Sequence, residues 1–521
     1  MANSKSSLCT SNLTSGFIDL ATYDELEKYM YGGADATAYF VRETRKSTWF
    51  TQVPVVLSRA SGSPEFGQEW SVTISRAGDY LLNTWLRLTV PEVTNTTKCE
   101  NDGESHTVIS WTPNLMHNLV KECCITFNDL VAARFDSYHL DFWSAFTTPE
   151  GKRQGYANMI GNTPELAGQP VGPGESLPET VLNLPLPFFY SRDSGVALPT
   201  AALPYNDMRI NFSFRNWSEL LQAYKLTKDA SHPKKCFKQT AENILVGTTI
   251  ASEPRLSGTG TGVQVWANYA IVSNDERKRM ACAPRDILIE QVQTAPVTSY
   301  DVNQVRSQDI RFSHAIKVLF FAARNKSYRG VFSNYRSLSN IVSSCKVACK
   351  SVNGKEPDEN SCGFTHMLVP PTKLRSGVDA VDPIDVTSLT YENTMRLGNM
   401  GSDYFMFVQP WYHAPRIPVV TGYHMYSYSL DFICLDPLGS TNYGKLTNVS
   451  ITPDATQAAK DAATASGTTT DDLKGKLPQC VDCTPPYTGY YDTKQTFDFI
   501  VTAINNNIIR ISGGALGFPV L

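Results

Sequence analysis

Cysteine and uninterrupted apolar sequence are both scarce in this chain of 521 residues. Its 12 cysteines are too sparse for a disulfide scaffold, so we expect free thiols. The best apolar run, 316–323, is broken by Lys317 and is far shorter than the roughly 20 residues that span a bilayer. Neither a secretory leader nor a membrane anchor is therefore expected.

An excess of positive charge is missing as well. The chain carries 46 Lys and Arg against 50 Asp and Glu, a formal net charge of −4, and residues 1–5 include no arginine. Proteins that bind nucleic acid directly present a basic patch or stripe. Direct binding to a genome is not expected.

Signatures of catalysis and of cofactor binding are also lacking. The glycine-rich stretch 258–262 precedes a strand pattern, whereas a dinucleotide loop follows a strand and opens a helix, so we interpret it as a plain turn. No phosphate-binding loop and no Gly-x-Ser-x-Gly elbow occurs. The eight histidines lie more than ten residues apart, unlike those of a zincin helix or a cupin metal centre. The sequence predicts no cofactor and no enzyme.

Two cysteine pairs are candidates for a metal site. Cys480 and Cys483 have the spacing of half a zinc site, and Cys345 and Cys349 would lie one turn apart on a helix. Four thiolates suffice for structural zinc. Both pairs lie in loop-like sequence without a neighbouring histidine, so incidental thiols are favoured, with zinc as the alternative.

Six Asn-x-Ser/Thr patterns occur in the sequence. With no secretory signal expected, we interpret them as chance occurrences. They begin at Asn12, Asn95, Asn211, Asn216, Asn325 and Asn448.

Alternating strand pattern is abundant. Apolar and polar residues alternate as in antiparallel strands that have one dry and one wet face. The clearest segments are 70–75, 80–90, 208–214, 263–272, 310–320 and 423–432. Helical patterns are short, at 22–30 with Thr22 as the predicted N-cap, and at 136–146, 150–160 and 274–280.

The chain is longer than one hydrophobic core usually serves, which predicts two domains. A proline-aromatic loop precedes an alternating strand once in each half, at 186–190 and at 409–412, which favours two copies of one β architecture. We therefore predict an all-β protein. Its parts are an N-terminal arm with a short helix (1–35), a first sandwich (36–273), a charged linker (274–284) and a second sandwich (285–521).

Three segments are predicted to be long surface loops, because they lack strand pattern and exceed the usual loop length. They are 91–105, 325–385 and 452–494.

Several sequence segments in both halves of the chain resemble segments of iridovirus major capsid proteins. They include TSGFIDLA (14–21), MYGG (30–33), FFYSRDSGVALP (188–199), RFSH (311–314), GSTNYG (439–444) and GFP (517–519). The resemblance extends from about Thr14 to the C-terminus. We expect the segments 325–385 and 452–494 of this chain to be longer than the corresponding segments of family members.

The resemblance implies a double jelly roll, two consecutive eight-stranded antiparallel β-sandwiches with short helices in the connections. It implies a homotrimeric, pseudo-hexagonal capsomer that tiles the icosahedral shell of a large double-stranded DNA virus. The shell overlies an internal lipid membrane without spanning it. The implied partners are neighbouring capsomers and minor capsid and penton proteins. Late expression and assembly in the host cytoplasm are implied as well.

In such a trimer, the two proline-aromatic loops are candidates for the interface between subunits. The candidate residues are Phe188, Phe189, Tyr190, Trp411 and Tyr412. The alternative, which we favour, is that these side chains belong to the core, because aromatic residues dominate cores as well as interfaces. A glycan-binding sandwich, a carbohydrate-active enzyme and a receptor-binding spike remain rival functions on a similar fold.

Overall fold

The computed structural model falls into an N-terminal unit that ends at Trp49 and a large unit, Phe50–Leu521. It describes residues 4–32, 36–40, 42, 44, 46–97, 105–228, 237–242, 249–256, 262–327, 331–338, 341–346, 364–369, 382–464, 467–471, 487–491 and 494–518.

The N-terminal unit contains two helices, α1 (Ser4–Ala21) and α2 (Glu25–Tyr31), where the sequence predicts one. The N-cap of α2 is Asp24, whose carboxyl accepts a hydrogen bond from Glu25 N (2.8 Å). The prediction of Thr22 is wrong, because its hydroxyl donates to Asp19 O at the end of α1 (2.6 Å). None of the helices that the structure describes is both long enough and apolar enough to cross a bilayer.

The first half of the large unit is a sandwich of two antiparallel sheets, in the orders β1-β14-β4-β10 and β2-β3-β11-β7-β8. Its strands are β1 (Phe50–Val56), β2 (Ser58–Gly62), β3 (Glu69–Thr73), β4 (Tyr80–Val90), β5 (Val93–Thr94), β6 (Ser105–Trp111), β7 (Val120–Phe127), β8 (Leu130–Asp136), β9 (Ser176–Leu177), β10 (Thr180–Pro185), β11 (Met208–Phe214), β12 (Leu221–Lys228), β13 (Phe237–Glu242) and β14 (Gln264–Val272). Its helices are α3 (Leu115–Leu119), α4 (Ser137–Thr147), α5 (Glu150–Ile160) and α6 (Trp217–Leu220), and α7 (Asn274–Cys282) leads to the second half.

The second half is another antiparallel sandwich, in the orders β15-β28-β18-β23 and β17-β25-β21-β22. Its strands are β15 (Arg285–Thr294), β16 (Thr298–Tyr300), β17 (Gln308–Asp309), β18 (Ala315–Asn325), β19 (Ile341–Lys346), β20 (Phe364–Val369), β21 (Ile384–Tyr391), β22 (Thr394–Gly401), β23 (His424–Ser427), β24 (Thr441–Asn442), β25 (Val449–Ala455), β26 (Gly467–Asp471), β27 (Tyr487–Tyr491), β28 (Phe497–Ser512) and β29 (Ala515–Gly517). Its helices are α8 (Gln409–His413) and α9 (Gln457–Thr464).

The two sandwiches share one topology. In the first half β1 pairs with β14, β14 with β4, and β4 with β10. In the second half β15 pairs with β28, β28 with β18, and β18 with β23. Even a β-bulge is repeated. One extra residue interrupts the register near the start of β4, at Leu82, and near the start of β18, at Lys317.

Apolar side chains form three clusters. One fills the first sandwich and one the second. The third lies between the halves, where α4 of the first half packs on the outward face of the β18 sheet. Phe142 and Phe146 of α4 there meet Val318, Phe320 and Ala322 of β18.

Several predicted elements need correction. The strand expected at 423–432 ends at Ser427, because the hydroxyls of Ser427 and Ser429 donate to backbone carbonyls two residues on and favour local turns. The strand expected at 310–320 begins only at Ala315, because His314 has a positive φ of 61°.

The predicted loops also contain regular structure. The segment 325–385 includes β19 and β20, and 452–494 begins within β25 and continues into α9, which buries Ala459 and Ala462. Two small antiparallel sheets of the second half, β19-β20 and β26-β27, lie beside β13 of the first half. Strand β13 contacts both β19 and β27.

The packing between the halves predicts a large cost for truncating its central ring. Phe320→Ala should lower the free energy of unfolding by about 3–5 kcal/mol, because a buried ring is removed and a cavity remains. Denaturant unfolding measures this. The control Leu430→Ala, at an exposed side chain, should change it by under about 0.5 kcal/mol. A loss for Phe320→Ala no larger than the control's would contradict the packing argument.

Candidate functional site

Phe188, Phe189 and Tyr190 lie inside the first sandwich. Each is at most 2% exposed, and the Tyr190 hydroxyl is hydrogen-bonded to Thr84 Oγ1 (2.8 Å). Phe188 packs on Phe135, with ring centroids 5.0 Å apart. Side chains enclosed by their own chain have no surface to offer a second subunit, so the interface prediction is wrong for these three residues.

Trp411 and Tyr412 have the opposite environment. They are 71% and 73% exposed on α8, which continues from the π-helical turn Tyr404–Val408. Exposed aromatic side chains on a helix are typical of binding surfaces. Their role at an interface stays a proposal.

Helix α4 is positioned by the strand before it. Asp136, the last residue of β8, is its N-cap and accepts a hydrogen bond from His139 N (2.9 Å). The rings of Phe142 and Phe146 then stack on Phe320 of the other half, with centroids 5.8 and 5.3 Å away. The helix therefore joins the two sandwiches by an aromatic contact.

A buried polar network is centred on Asp141, which directly precedes Phe142 in α4. Its Oδ1 accepts hydrogen bonds from His117 Nδ1 (2.8 Å) and Asn114 Nδ2 (3.2 Å) of the first half. Its Oδ2 accepts from the hydroxyls of Ser333 (2.7 Å) and Tyr335 (2.9 Å) of the second half. One carboxyl group therefore binds donors from both sandwiches, and its own desolvation is compensated.

A group of charges also crosses between the halves. Lys317 Nζ donates to Glu290 Oε1 (2.6 Å) and to Cys434 O (2.7 Å). Arg192 from the first half lies 2.5 Å from Glu290 Oε2, an ionic contact that falls short of an aligned hydrogen bond. The Arg192 guanidinium also lies 3.7 Å from the centroid of the Trp143 ring. Burial lowers the pKa of Arg192, and the negative charge of the nearby Glu290 partly offsets this by raising it.

His139 is buried beside this group. Burial, and to a smaller extent the charge of Arg192, lowers its pKa to about 3. Its ring packs on Trp143 (5.9 Å between centroids), and its Nδ1 has no hydrogen-bond partner in the described structure. The folded protein therefore keeps this imidazole neutral.

Two His–Asp pairs resemble parts of a catalytic site, but both are enclosed. His117 is paired with Asp141, and His424 Nε2 lies 2.9 Å from Asp382 Oδ2. All four side chains are buried, so no substrate reaches them. The hydroxyl of Ser333 contacts the carboxyl and not the imidazole, which differs from a Ser–His–Asp relay. These pairs tie the core together.

The side chains of the candidate metal ligands lie outside the part of the chain that the structure describes. Cys349, Cys480 and Cys483 lie outside the described residues, as does the side chain of Cys345. Within the described ranges, no three side chains among His, Cys, Asp and Glu gather as a metal site requires. Most of the glycine-rich stretch 258–262 also lies outside them.

Two of the six Asn-x-Ser/Thr patterns have a structural cause. Asn95 and Asn325 are buried, and each Oδ1 accepts hydrogen bonds from the backbone N–H and the hydroxyl two residues on, at Thr97 (Oγ1, 2.6 Å) and Ser327 (Oγ, 2.5 Å). The hydroxyl residue of the pattern thus closes a turn. Chance is the wrong interpretation for these two: Asn95 directly follows β5, and Asn325 is the last residue of β18.

The geometry so far defines a class of protein. Two sandwiches of one topology are joined by an aromatic contact and by buried polar groups. This is the architecture of a double jelly roll.

Comparison with known proteins identifies the family. The model for "Major capsid protein N-terminus" matches residues 38–272, and that for "Large eukaryotic DNA virus major capsid protein" matches residues 276–517. The chain belongs to the major capsid proteins of large eukaryotic DNA viruses.

Full-length relatives include the major capsid proteins of iridescent viruses and of Lymphocystis disease virus 1. The major capsid protein of Costelytra zealandica iridescent virus is 56% identical over 521 residues, which cover 99% of this chain and 100% of that protein. That of Invertebrate iridescent virus 6 is 55% identical (99% and 100% covered), and that of Lymphocystis disease virus 1 is 45% identical (99% and 100% covered). The chain is thus a viral structural protein and not an enzyme.

Solved structures show the same fold. A chain of the PBCV-1 virus capsid quasi-atomic model is similar with a TM-score of 0.65 at 19% identity, covering 93% of this chain and 100% of that one. The Faustovirus major capsid protein is similar with a TM-score of 0.59 at 12% identity, covering 94% and 95%. The predicted double jelly roll is confirmed.

Sequence reasoning missed the residues that join the halves. Segment 136–146 was predicted as a helix, but nothing in its pattern shows that Phe142 and Phe146 face a second sandwich. Lys317 interrupts the apolar run 316–323, and a lone charge within such a run is itself a signal for a buried partner.

The Asp141 network predicts a loss of stability when its charge is removed. Asp141→Asn should lower the free energy of unfolding by about 2–3 kcal/mol, because an amide nitrogen replaces an oxygen that accepts from buried donors. Denaturant unfolding measures the loss. Asp385→Asn, at an exposed position of β21, is the control and should stay within about 0.5 kcal/mol of wild type. Equal effects of the two substitutions would refute the role of Asp141.

The low pKa of His139 predicts sensitivity to acid. In the unfolded chain, His139 binds a proton below its ordinary pKa of 6.5, whereas in the folded protein it does so only below about pH 3. The free energy of unfolding therefore decreases as the pH falls from 6.5 to 3. At pH 5 the loss is about 2 kcal/mol. His139→Phe should lessen the fall in Tm between pH 7 and pH 5. An unaltered fall in His139→Phe would contradict this account.

Proposed function

We propose that three copies of this chain form a capsomer with a pseudo-hexagonal outline, the repeating unit of an icosahedral shell that overlies an internal lipid membrane. The observation that carries the proposal is the repeated topology of two sandwiches within one chain. Three such chains place six similar units around a ring. A single polypeptide can then tile a hexagonal lattice without true sixfold symmetry.

The contacts between chains in this ring are heterologous. One surface of each chain meets a different surface of the next, and rotation by one third of a turn closes the ring. Obligate assemblies of this kind bury large surfaces with an aromatic-rich core. Trp411 and Tyr412 are the predicted residues that remain available for such a core.

The further partners follow from the role in a shell. Neighbouring capsomers, minor capsid proteins and penton proteins are the proposed partners, and the shell lies over the membrane without spanning it. The net charge of −4 supports an absence of direct contact with the genome. The proposed site of assembly, late in infection, is the host cytoplasm.

The oligomeric state tests the proposal. Light scattering on the purified chain should give three times the chain mass of 57.6 kDa, and electron microscopy should show particles with a hexagonal outline. A monodisperse monomer at micromolar concentration would contradict the capsomer. A monomer that also binds on a glycan array would favour the glycan-binding alternative.

A further inference from the structure

We infer that residues 402–413 of one chain, here called the aromatic helix, pack on the first sandwich of the next chain in the trimer. The contact repeats between chains the one that α4 makes on the second sandwich within a chain. The receiving surface, here called the Trp85 face, is the outward side of the β1-β14-β4-β10 sheet around Trp85. The inference rests on the proposed trimer and names the interface that builds it.

The aromatic helix is the counterpart of α4. In the first half β8 runs directly into α4, and in the second half β22 runs directly into residues 402–413, which are continuously helical through the π turn and α8. Counted from the first helical residue, Leu140 corresponds to Phe405, and both are buried in the sandwich of their own half. The same count aligns Phe146 with Trp411.

The two aligned aromatic residues differ in what covers them. Phe146 is buried because it stacks on Phe320 of the second sandwich, with an interplanar angle of 16°. Trp411 is exposed, because the described chain contains no third sandwich to cover it. A second copy of this chain supplies one.

The receiving surfaces are aligned by the repeated bulge. Three residues after Leu82 in the first half lies Trp85, and three residues after Lys317 in the second half lies Phe320. Phe320 is the ring on which α4 stacks. Trp85 points to the outward side of its sheet, is only partly buried, and stacks on Trp266 of the neighbouring strand with centroids 6.1 Å apart.

The Trp85 face has room for a helix with large side chains. A groove of about 1000 Å³ runs beside Trp85, between Asn83 and Pro185 on the sheet and Trp143 on α4. This volume lies at the upper end of the range for small-molecule pockets. Two exposed aromatic side chains of a helix are a suitable occupant, since tryptophan and tyrosine dominate the centres of protein interfaces.

The geometry of the ring also favours this pairing. Each chain has one uncovered aromatic helix on its second sandwich and one uncovered face on its first. A copy of the intrachain contact therefore links the second sandwich of each chain to the first sandwich of the next. Three links return to the starting chain and leave neither surface free.

Single substitutions on the two surfaces test the pairing. Trp411→Asp on the helix and Asn83→Arg on the groove should each reduce the light-scattering mass from three chains to one. Both side chains are exposed, so thermal unfolding should show that the subunits still fold. The control Met395→Asp, on an exposed side chain at the opposite end of β22, should remain a trimer.

Mixing the two variants tests that the surfaces meet each other. A chain with Asn83→Arg keeps its aromatic helix, and a chain with Trp411→Asp keeps its groove, so an equimolar mixture should give heterodimers of two chains with one intact contact. Monomers alone in the mixture would overturn the pairing. So would trimers of both single variants, while a wild-type chain that is not a trimer would instead overturn the proposed function.

Discussion

The stacking of Phe142 and Phe146 on Phe320 is the contact on which the rest of the structure depends. It removes the outward face of the second sandwich from water, which a single sheet cannot do by itself. Burying it also desolvates the polar groups around it, so each needs a partner within the protein. Asp141 meets that requirement by accepting hydrogen bonds from both halves, and Glu290 does so by ionic contacts with one cation from each half.

The strand pattern predicted much of the fold, because alternation reports directly on a sheet with one dry face. It placed β4, β11 and β14 to within a residue of their observed ends. It failed at 423–432, where serine hydroxyls bind the backbone locally and end the strand. It also passed over α1 and α9, because serine, threonine and alanine give little periodic contrast between apolar and polar positions.

The candidate site was harder to predict for a physical reason. The segments around Phe188 and Trp411 look alike in sequence, yet one lies in a core and the other on a helix at the surface. Local sequence cannot distinguish them, because burial is decided by what packs on the segment from elsewhere in the fold. The useful signal is the alignment of the two halves, in which the repeated bulge and the helices after β8 and β22 identify equivalent positions.

Helix α7 has a consequence for the order in which contacts form. Its nine residues keep the two sandwiches of a chain close together, so they meet at an effective concentration on the order of millimolar. Separate chains meet only at the concentration of free subunits in the cell. In the proposed trimer, the contact within a chain therefore forms before the contacts between chains, and the supply of folded subunits sets the rate at which rings close.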